Sequence, residues 1–115
     1  MEEKTIENLH NEIVEDLTGL LGSEPDFNEA VLNVKVKMAI REVRQKRNYE
    51  ATTYDEEHIA EDLWNYYAVI FDVALYDYNM IGSEGEKSHS ENGVSRSYES
   101  REKLFNPVHP FVRLM

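Results

Sequence analysis

Cysteine is absent from the 115-residue sequence, which excludes disulfides, thiolate metal sites and cysteine nucleophiles. Long hydrophobic runs are also missing, since no window approaches the roughly 20 apolar residues that a helix needs to span a bilayer. The first ten residues, MEEKTIENLH, are acidic and have no apolar core, so we expect no signal peptide. Neither a glycine-rich phosphate loop nor a dinucleotide fingerprint occurs. What remains, with 41% hydrophobic and 30% charged residues, predicts one globular domain over residues 1–115.

Positive charge is scarce and unevenly placed. Twelve Lys and Arg face 23 Asp and Glu, and the net charge of −11 argues against nonspecific binding of nucleic acid by the whole surface. From Lys35 to Arg47 the segment carries +5 (six cations minus one acid), so the remainder carries −16 (−11 minus 5). Two interpretations stay open. The segment is a solvated helix face whose cations suit a helix C-terminus, or Lys37, Arg41 and Arg44 form a basic interface patch that meets acidic residues of another subunit.

Apolar residues recur at helical spacing in three stretches, which predicts helices at about residues 4–21, 26–48 and 55–81. The third would be the longest and would reach roughly 40 Å at 1.5 Å per residue. The fold class predicted from this pattern is mainly α, a small bundle of three to four helices with a long central helix.

Local signals suggest where these helices begin and end. Gly22 is placed to end the first helix as a C-terminal cap. Asp26 with Glu29, and Thr53 with Glu56, have the spacing of capping pairs that open the second and third helices.

The second and third helices each carry two apolar stripes, which predicts that they are covered on more than one side. In the second helix the stripes are Phe27, Val31, Val34 and Met38, and then Val36, Ile40 and Val43. In the third helix a first stripe, expected in the core, includes Leu63, Tyr67, Ile70 and Ala74. The stripe beside it is Trp64, Ala68, Phe71 and Leu75. Because so small a domain has little core to share, part of this last stripe is expected to face another chain.

The stretch GSEGEKSHSENGVSRSYES, residues 82–100, has the composition of a loop but an ordered alternation. Asn92 and Gly93 suit the two central positions of a type I′ turn, which requires positive φ at both. Its flanks then pair as a protruding β-hairpin at about 86–99 that has no apolar face of its own. An isolated two-stranded hairpin is marginal in water, so it would gain order from a partner. A simple surface loop is the alternative.

The last stretch, residues 104–115, is apolar but contains Pro107 and Pro110, which forbid a regular helix. We expect an extended tail that lies against the bundle or against a neighbouring subunit, with a short helical turn near Arg101 to Phe105.

One weak metal-site pattern occurs in the sequence EEHIAED, where His58 precedes Asp62 by one helical turn and has Glu57 and Glu61 nearby. Acidic residues belong in the first turn of a helix in any case, because they interact favourably with the helix dipole. No serine has a recognisable His and Asp context for nucleophilic catalysis. The sequence therefore predicts no enzyme, no cofactor and no metal.

The stretch ALYDYNMIGSEGEKSHSENGVSRSYES, followed by an apolar proline-containing end, resembles the head–tail connector (head-completion or adaptor) proteins of tailed bacteriophages. The likeness is close from about Tyr54 to Met115 and looser in the second helix. It implies a mostly helical fold with a protruding hairpin, and a homo-oligomeric ring, dodecameric in number, beneath the portal of a virion or prophage-encoded particle.

The same resemblance implies partners and a location. The portal protein and a tail-side completion protein would be its neighbours at the head–tail junction, after synthesis in the bacterial host cytoplasm. DNA would pass through the channel without specific binding, and no membrane would be involved. The contact segment would include Lys87, His89, Asn92, Gly93, Arg96 and Tyr98.

Two other functions remain open at this point. One is a small helical protein-binding adaptor or regulator that acts as a dimer. The other is a metal-dependent hydrolase that uses His58 and the nearby acids. Oligomeric state separates the ring from the dimer, and metal content separates the hydrolase from both.

Overall fold

The computed structural model describes residues 3–83 and 101–112. Their regular secondary structure is helical and includes no strand, which confirms the predicted, mainly α, bundle. The helices are α1 (Ile6–Leu21), α2 (Glu29–Arg47), a 3-10 helix (Tyr49–Ala51), α3 (Glu56–Trp64) and α4 (Tyr67–Ser83), and residues 101–104 form a further helical turn. The hairpin predicted at 86–99 lies outside the described residues.

The prediction of one long central helix at 55–81 is wrong, because the chain turns between α3 and α4. The amides of Asn65 and Tyr66 donate to the carbonyls of Asp62 and Leu63, three residues back, at 3.0 and 2.9 Å. Such bonds tighten the last turn and end the α-helix. The sequence WNYY at 64–67 has only modest helix propensity. The indole of Trp64 donates to the carbonyl of Thr5 at 2.9 Å and so holds the end of α3 against the start of α1.

The central helix is instead α2, which packs against α1, α3 and α4, while α1 and α4 also contact each other. Side chains with no exposed surface converge between these helices, and they are Leu9, Ile13, Leu17, Leu32, Val36, Ala39, Val43, Leu63, Ile70, Val73 and Ala74. Tyr67, expected in this core, is only half-buried. The apolar face of each helix therefore decides the packing, as hydrophobic burial requires.

Side-chain caps open α1, α2 and α3, and those of α2 and α3 are not the residues that the sequence suggested. Thr5 accepts from the amide of Asn8 at 3.0 Å, as an N-cap of α1. Asn28, rather than Asp26, caps α2, and Asp55, rather than Thr53, caps α3. Each of these side chains replaces a missing hydrogen-bond partner of the first helical turn.

The amide of Asn28 also donates to the hydroxyl of Tyr78 at 2.9 Å, which ties the start of α2 to α4. At its other end α2 stops at Asn48, whose φ and ψ are both 58°. Asparagine tolerates this left-handed conformation better than most residues. The turn directs the chain into the 3-10 helix and leaves the end of α2 open to the C-terminal segment (residues 101–112).

Candidate assembly surfaces

The C-terminal segment docks on its own subunit at the end of α2. The amide of Phe111 donates to the carbonyl of Arg47 at 2.8 Å, and the side chain of Asn48 donates to the carbonyl of Phe111 at 3.1 Å. Phe105 and Val108 are buried against the helices. The carbonyl of Arg47, at the end of α2, thus finds a hydrogen-bond donor in the segment.

Arg47 is the centre of this contact. Its guanidinium donates to both carboxylate oxygens of Asp62 at 2.8 and 3.1 Å and to the carbonyl of His109 at 2.5 Å. Its carbon lies 4.0 Å from the ring centre of Phe111. The side chains of Arg47 and Asp62 are only 11% and 15% exposed, so this two-pronged pair is shielded from water. We call these residues, together with Tyr49, the Arg47 cluster.

The charges of the Arg47 cluster are matched. Burial lowers the pKa of Arg47, but the hydrogen bonds and charge of Asp62 outweigh it and raise the pKa overall. The hydroxyl of Tyr49 donates to the same carboxylate at 2.5 Å. Burial, and then Asp62, raise the pKa of Tyr49, so the phenol remains a hydrogen-bond donor at neutral pH. The cluster is therefore suited to hold the C-terminal segment in place.

A second arginine anchors the start of the C-terminal segment. Arg101 donates to both oxygens of Asp77 on α4, each at 2.9 Å, and to both oxygens of Glu42 on α2, at 2.8 and 3.2 Å. Hydrogen bonds to Asp77 and then Glu42 raise the pKa of Arg101. Its guanidinium also lies over the ring of Phe105, 5.4 Å from the ring centre.

Arg101 therefore fixes the start of the C-terminal segment beside the end of α4. Ser83 is the last residue of α4, and Asp77 lies only six residues before it. Six helical residues correspond to about 9 Å along the axis. The predicted contact residues in this stretch, Lys87, His89, Asn92, Gly93, Arg96 and Tyr98, lie outside the described residues.

The predicted basic patch divides in the structure. Lys37, Arg41 and Arg44 line one shallow groove between α2 and α1. Arg44, however, is half-buried and pairs with Glu56 of α3 at 2.6 Å. Lys37 and Arg41 are exposed, and neither forms an ion pair within the described part of the chain. Two of the three predicted cations are thus free for a partner, while the third stabilises its own subunit.

Apolar side chains lie exposed beside these two cations. Val34 is 53% exposed and Met38 is 52% exposed. At 3.6 residues per turn they lie on the same side of α2 as Lys37 and Arg41, opposite the buried Val36. We call Val34, Lys37, Met38 and Arg41 the outer face of α2.

A second apolar surface lies between α1 and α4, on the stripe predicted to face another chain. It is a shallow depression whose floor consists of Leu20, Tyr67, Ala68 and Phe71. Leu20 is 57% exposed, and the rings of Tyr67 and Phe71 stack with centres 6.2 Å apart. Asp16 and Asp72 stand at its rim, and the hydroxyl of Tyr67 donates to Asp16. We call this surface the acid-rimmed depression.

The metal-site pattern around His58 is not assembled. The ring of His58 hydrogen-bonds to Asp55 at 2.7 Å, whereas Asp62 is occupied by Arg47 and Tyr49. Among residues 3–83 and 101–112 no three His, Asp or Glu side chains are grouped to hold a metal ion. Within the same ranges no helix is both long and apolar enough to cross a membrane.

Sequence reasoning missed both the Arg47 cluster and the contacts of Arg101. One signal was present in the sequence, since Asp62 directly precedes the buried Leu63 and follows the buried Ile59 by three positions. An acid at the border of an apolar helix face needs a partner, because an unpaired buried carboxylate is costly. The identity of that partner does not follow from spacing alone.

Comparison with known proteins gives one match. A family model described as phage gp6-like head-tail connector protein matches residues 11–109, from the first turns of α1 into the C-terminal segment. No curated protein and no solved structure matches the chain.

Proposed function

The chain belongs to the family of phage gp6-like head-tail connector proteins and its role is structural, and we propose that it forms a homo-oligomeric ring at the head–tail junction. The ring lies beneath the portal, links the capsid to the tail and forms part of the DNA channel. The portal protein and a tail-side completion protein are its neighbours, and twelve subunits is the expected number. The observation that carries this proposal is the family match, because it covers most of α1, all of α2, α3 and α4, and both Arg47 and Arg101.

A ring requires two different surfaces on each subunit, because head-to-tail contacts close only when one surface meets the other. The outer face of α2 and the acid-rimmed depression are two such surfaces, and both expose apolar side chains. Lys37 and Arg41 are the cations of the predicted basic patch that we assign to the contact. Arg44 contributes less, since Glu56 already neutralises it.

Residues 84–100 are proposed as the contact with the portal or with a neighbouring subunit. Both ends of this stretch are attached to the rigid bundle, one through α4 and the other through Arg101. Binding through a segment fixed at both ends loses less conformational freedom than binding through a free tail. Lys87, His89, Asn92, Gly93, Arg96 and Tyr98 are the residues proposed to make this contact.

The strongly acidic composition suits a channel for DNA. A subunit with a net charge of −11 repels the phosphates of a passing duplex, so the genome moves through without being held. We therefore propose passage of DNA without specific binding.

Electron microscopy of the full-length protein mixed with the portal protein of the same phage tests the proposal. We expect a ring of this chain on one face of the portal, with a countable number of subunits. Hydrogen exchange of residues 84–100 should slow when the portal is added. A protein that remains a dimer and leaves the portal bare would instead support the adaptor or regulator function.

Unchanged exchange of residues 84–100 in a complex that does contain the ring would contradict only the contact assigned to that segment. A matched control for the segment is Gly93→Val against Ser23→Val. The first places a β-branched residue in the predicted turn, which disfavours positive φ, and should reduce binding to the portal. The second places the same residue at an exposed position of the turn after α1, outside residues 84–100.

A further inference from the structure

The outer face of α2 and the acid-rimmed depression are complementary in charge and in apolar character. The first presents Lys37 and Arg41 beside Val34 and Met38, all exposed. The second presents two carboxylates at the rim of an apolar floor. Charge complementarity between two patches favours their contact and fixes its orientation.

The two surfaces also point in different directions. Helices α1, α2 and α4 contact one another pairwise, so they form a triangular bundle. The depression lies between α1 and α4, whereas the outer face lies on the far side of α2 from its buried Val36 and Val43. One subunit therefore cannot cover its own depression with its own outer face, and a second copy is needed.

Contacts between two like surfaces are disfavoured. Two depressions placed together would bring the Asp16 and Asp72 carboxylates of both copies close, and two outer faces would do the same with Lys37 and Arg41. Like charges placed opposite each other oppose association. Only a contact between an outer face of α2 and an acid-rimmed depression brings opposite charges together. This is the head-to-tail geometry that propagates into a ring.

A glycine in the depression supports an approach by another molecule. Gly19 lines the depression within the last turn of α1, and a Cβ added there would meet no atom within 4 Å. Glycine is a poorer helix former than alanine, and nothing in the part of the subunit that the structure describes requires its small size. Close approach of a neighbouring surface would require it.

We propose that the acid-rimmed depression of one subunit receives the outer face of α2 of the next subunit, a contact that rests on the proposed ring. Asp16 and Asp72 then face Lys37 and Arg41 across the interface, while Leu20 and Phe71 pack against Val34 and Met38. The net charge of −11 makes distant parts of two subunits repel, so this local match selects the surfaces that meet.

Charge reversal on each side tests the contact, with ring occupancy on the portal as the measurement. Lys37→Glu and Asp72→Lys should each weaken ring assembly about tenfold, a typical size for one close charge pair. Both changes in the same chain should restore most of that loss, because every interface then holds a reversed pair. Lys103→Glu and Asp26→Lys make the same charge changes at exposed positions outside both surfaces and should leave assembly unchanged.

A steric test uses the open space above Gly19. Gly19→Gln should leave the monomer folded with wild-type helicity and should block assembly, and the smaller Gly19→Ala should weaken assembly less. Glu12→Gln, on an exposed position of the same helix, is the matched control. A Gly19→Gln protein that still forms complete rings would overturn the assignment of the depression.

The outcomes separate this inference from the proposed function. If the wild-type protein forms rings and the reversed variants assemble like their controls, the ring stands and the interface assignment is wrong. If the double reversal is no better than the single reversals, the two surfaces do not face each other. If the wild-type protein forms no ring on the portal, both proposals fail.

Discussion

The two halves of the basic segment from Lys35 to Arg47 differ in what they contact. In the second half Arg44 pairs with Glu56, Lys46 lies 4.7 Å from the ring centre of Phe105, and Arg47 holds Asp62 and the C-terminal segment. In the first half Lys37 and Arg41 are exposed and have no ion-pair partner in the described ranges.

The difference shows that one run of like charge along a helix can serve two purposes. The end of α2 is where α3 and the C-terminal segment converge, so its cations bind partners within the subunit. Among residues 3–83 and 101–112 nothing covers the outer side of the middle of α2, so Lys37 and Arg41 are available to a second copy. Each interpretation drawn from the sequence, a helix-terminal role or an interface patch, applies to one half.

The largest effect expected from this difference is on folding. Arg47→Ala should lower the free energy of unfolding by about 3 kcal/mol, because it leaves the shielded carboxylate of Asp62 without its charged partner and frees the C-terminal segment. Arg41→Ala, six residues earlier on the same helix, should change it by less than about 0.5 kcal/mol. Urea denaturation of both variants measures this. Equal losses would mean that the two halves do not differ.

Arg47→Lys sharpens the same comparison. Lysine keeps the positive charge but cannot donate in parallel to both oxygens of Asp62 and also reach the carbonyl of His109. The variant should recover only part of the lost stability. Full recovery would show that charge alone, rather than the planar geometry of the guanidinium, holds the segment.

A smaller loss is expected at the start of the C-terminal segment. Arg101→Ala should cost about 2 kcal/mol, because it removes charged hydrogen bonds to Asp77 and Glu42 that are only partly exposed. Lys103→Ala, two residues later and exposed, should cost less than about 0.5 kcal/mol. Amide exchange of Val108, which donates to the carbonyl of Phe105, should become faster in the first variant only.

Much of the bundle follows from helical periodicity. The positions of α1 and α2, the end of α1 before Gly22 and the burial of Leu63, Ile70 and Ala74 agree with the pattern of apolar residues. Periodicity succeeds here because burying one apolar face is the main source of stability, and that face consists of residues three and four apart in the sequence.

Features set by tertiary contacts could not be predicted in the same way. Both misplaced caps fell two residues too early, because several Asp, Asn and Thr residues precede each helix and any of them can cap. The break between α3 and α4 depends on Trp64 reaching Thr5, which is 59 residues away. Tyr67 keeps its hydroxyl at the surface to reach Asp16, so an apolar stripe alone overestimates its burial.

The arginine clusters show the same limit at the candidate site. Arg47 and Arg41 are indistinguishable in the sequence, since both lie on one basic helix. The partners that separate them, Asp62 and the carbonyl of His109, lie 15 and 62 residues away from Arg47. Which of the two cations is paired within the subunit depends on the packing of α3 and the C-terminal segment.

A further prediction compares the exposed cations Lys37 and Arg41 with Arg44, by means of a double and a triple variant. Lys37→Glu with Arg41→Glu should leave the free energy of unfolding within about 0.5 kcal/mol of wild type and should abolish the ring. Adding Arg44→Glu should cost about 1 kcal/mol, because it removes the partly exposed pair with Glu56. Thermal unfolding and ring occupancy, measured on the same preparations, separate the two effects. A double variant that unfolds as easily as the triple one would contradict the prediction that only Arg44 stabilises its own subunit.

The smallest effect is expected for the exposed pair of His58 and Asp55 at the start of α3. This pair contrasts with the shielded pair of Arg47 and Asp62 near the end of the same helix. The hydrogen bond with Asp55 raises the pKa of His58 above its ordinary value of 6.5. The backbone amide and then the ring of His58 lower the pKa of Asp55 below 3.8. The raised pKa of His58 contributes stability that is complete below pH 6.5 and is lost as the pH rises through its folded value. The lowered pKa of Asp55 contributes stability that is complete above pH 3.8 and is lost as the pH falls through its folded value.

The pair should therefore be most stabilising between about pH 3.8 and 6.5. An NMR titration of the His58 ring measures the pKa on which this prediction depends. Asp55→Asn keeps a side chain that can cap the helix but removes the charge, so the pKa of His58 should fall back toward 6.5 while α3 remains formed. Glu57→Gln removes an acid that acts on His58 through charge alone, so it should lower the pKa of His58 less. If both variants lower it equally, the hydrogen bond to Asp55 is not what distinguishes this pair, and general acidity of the first turn accounts for the shift.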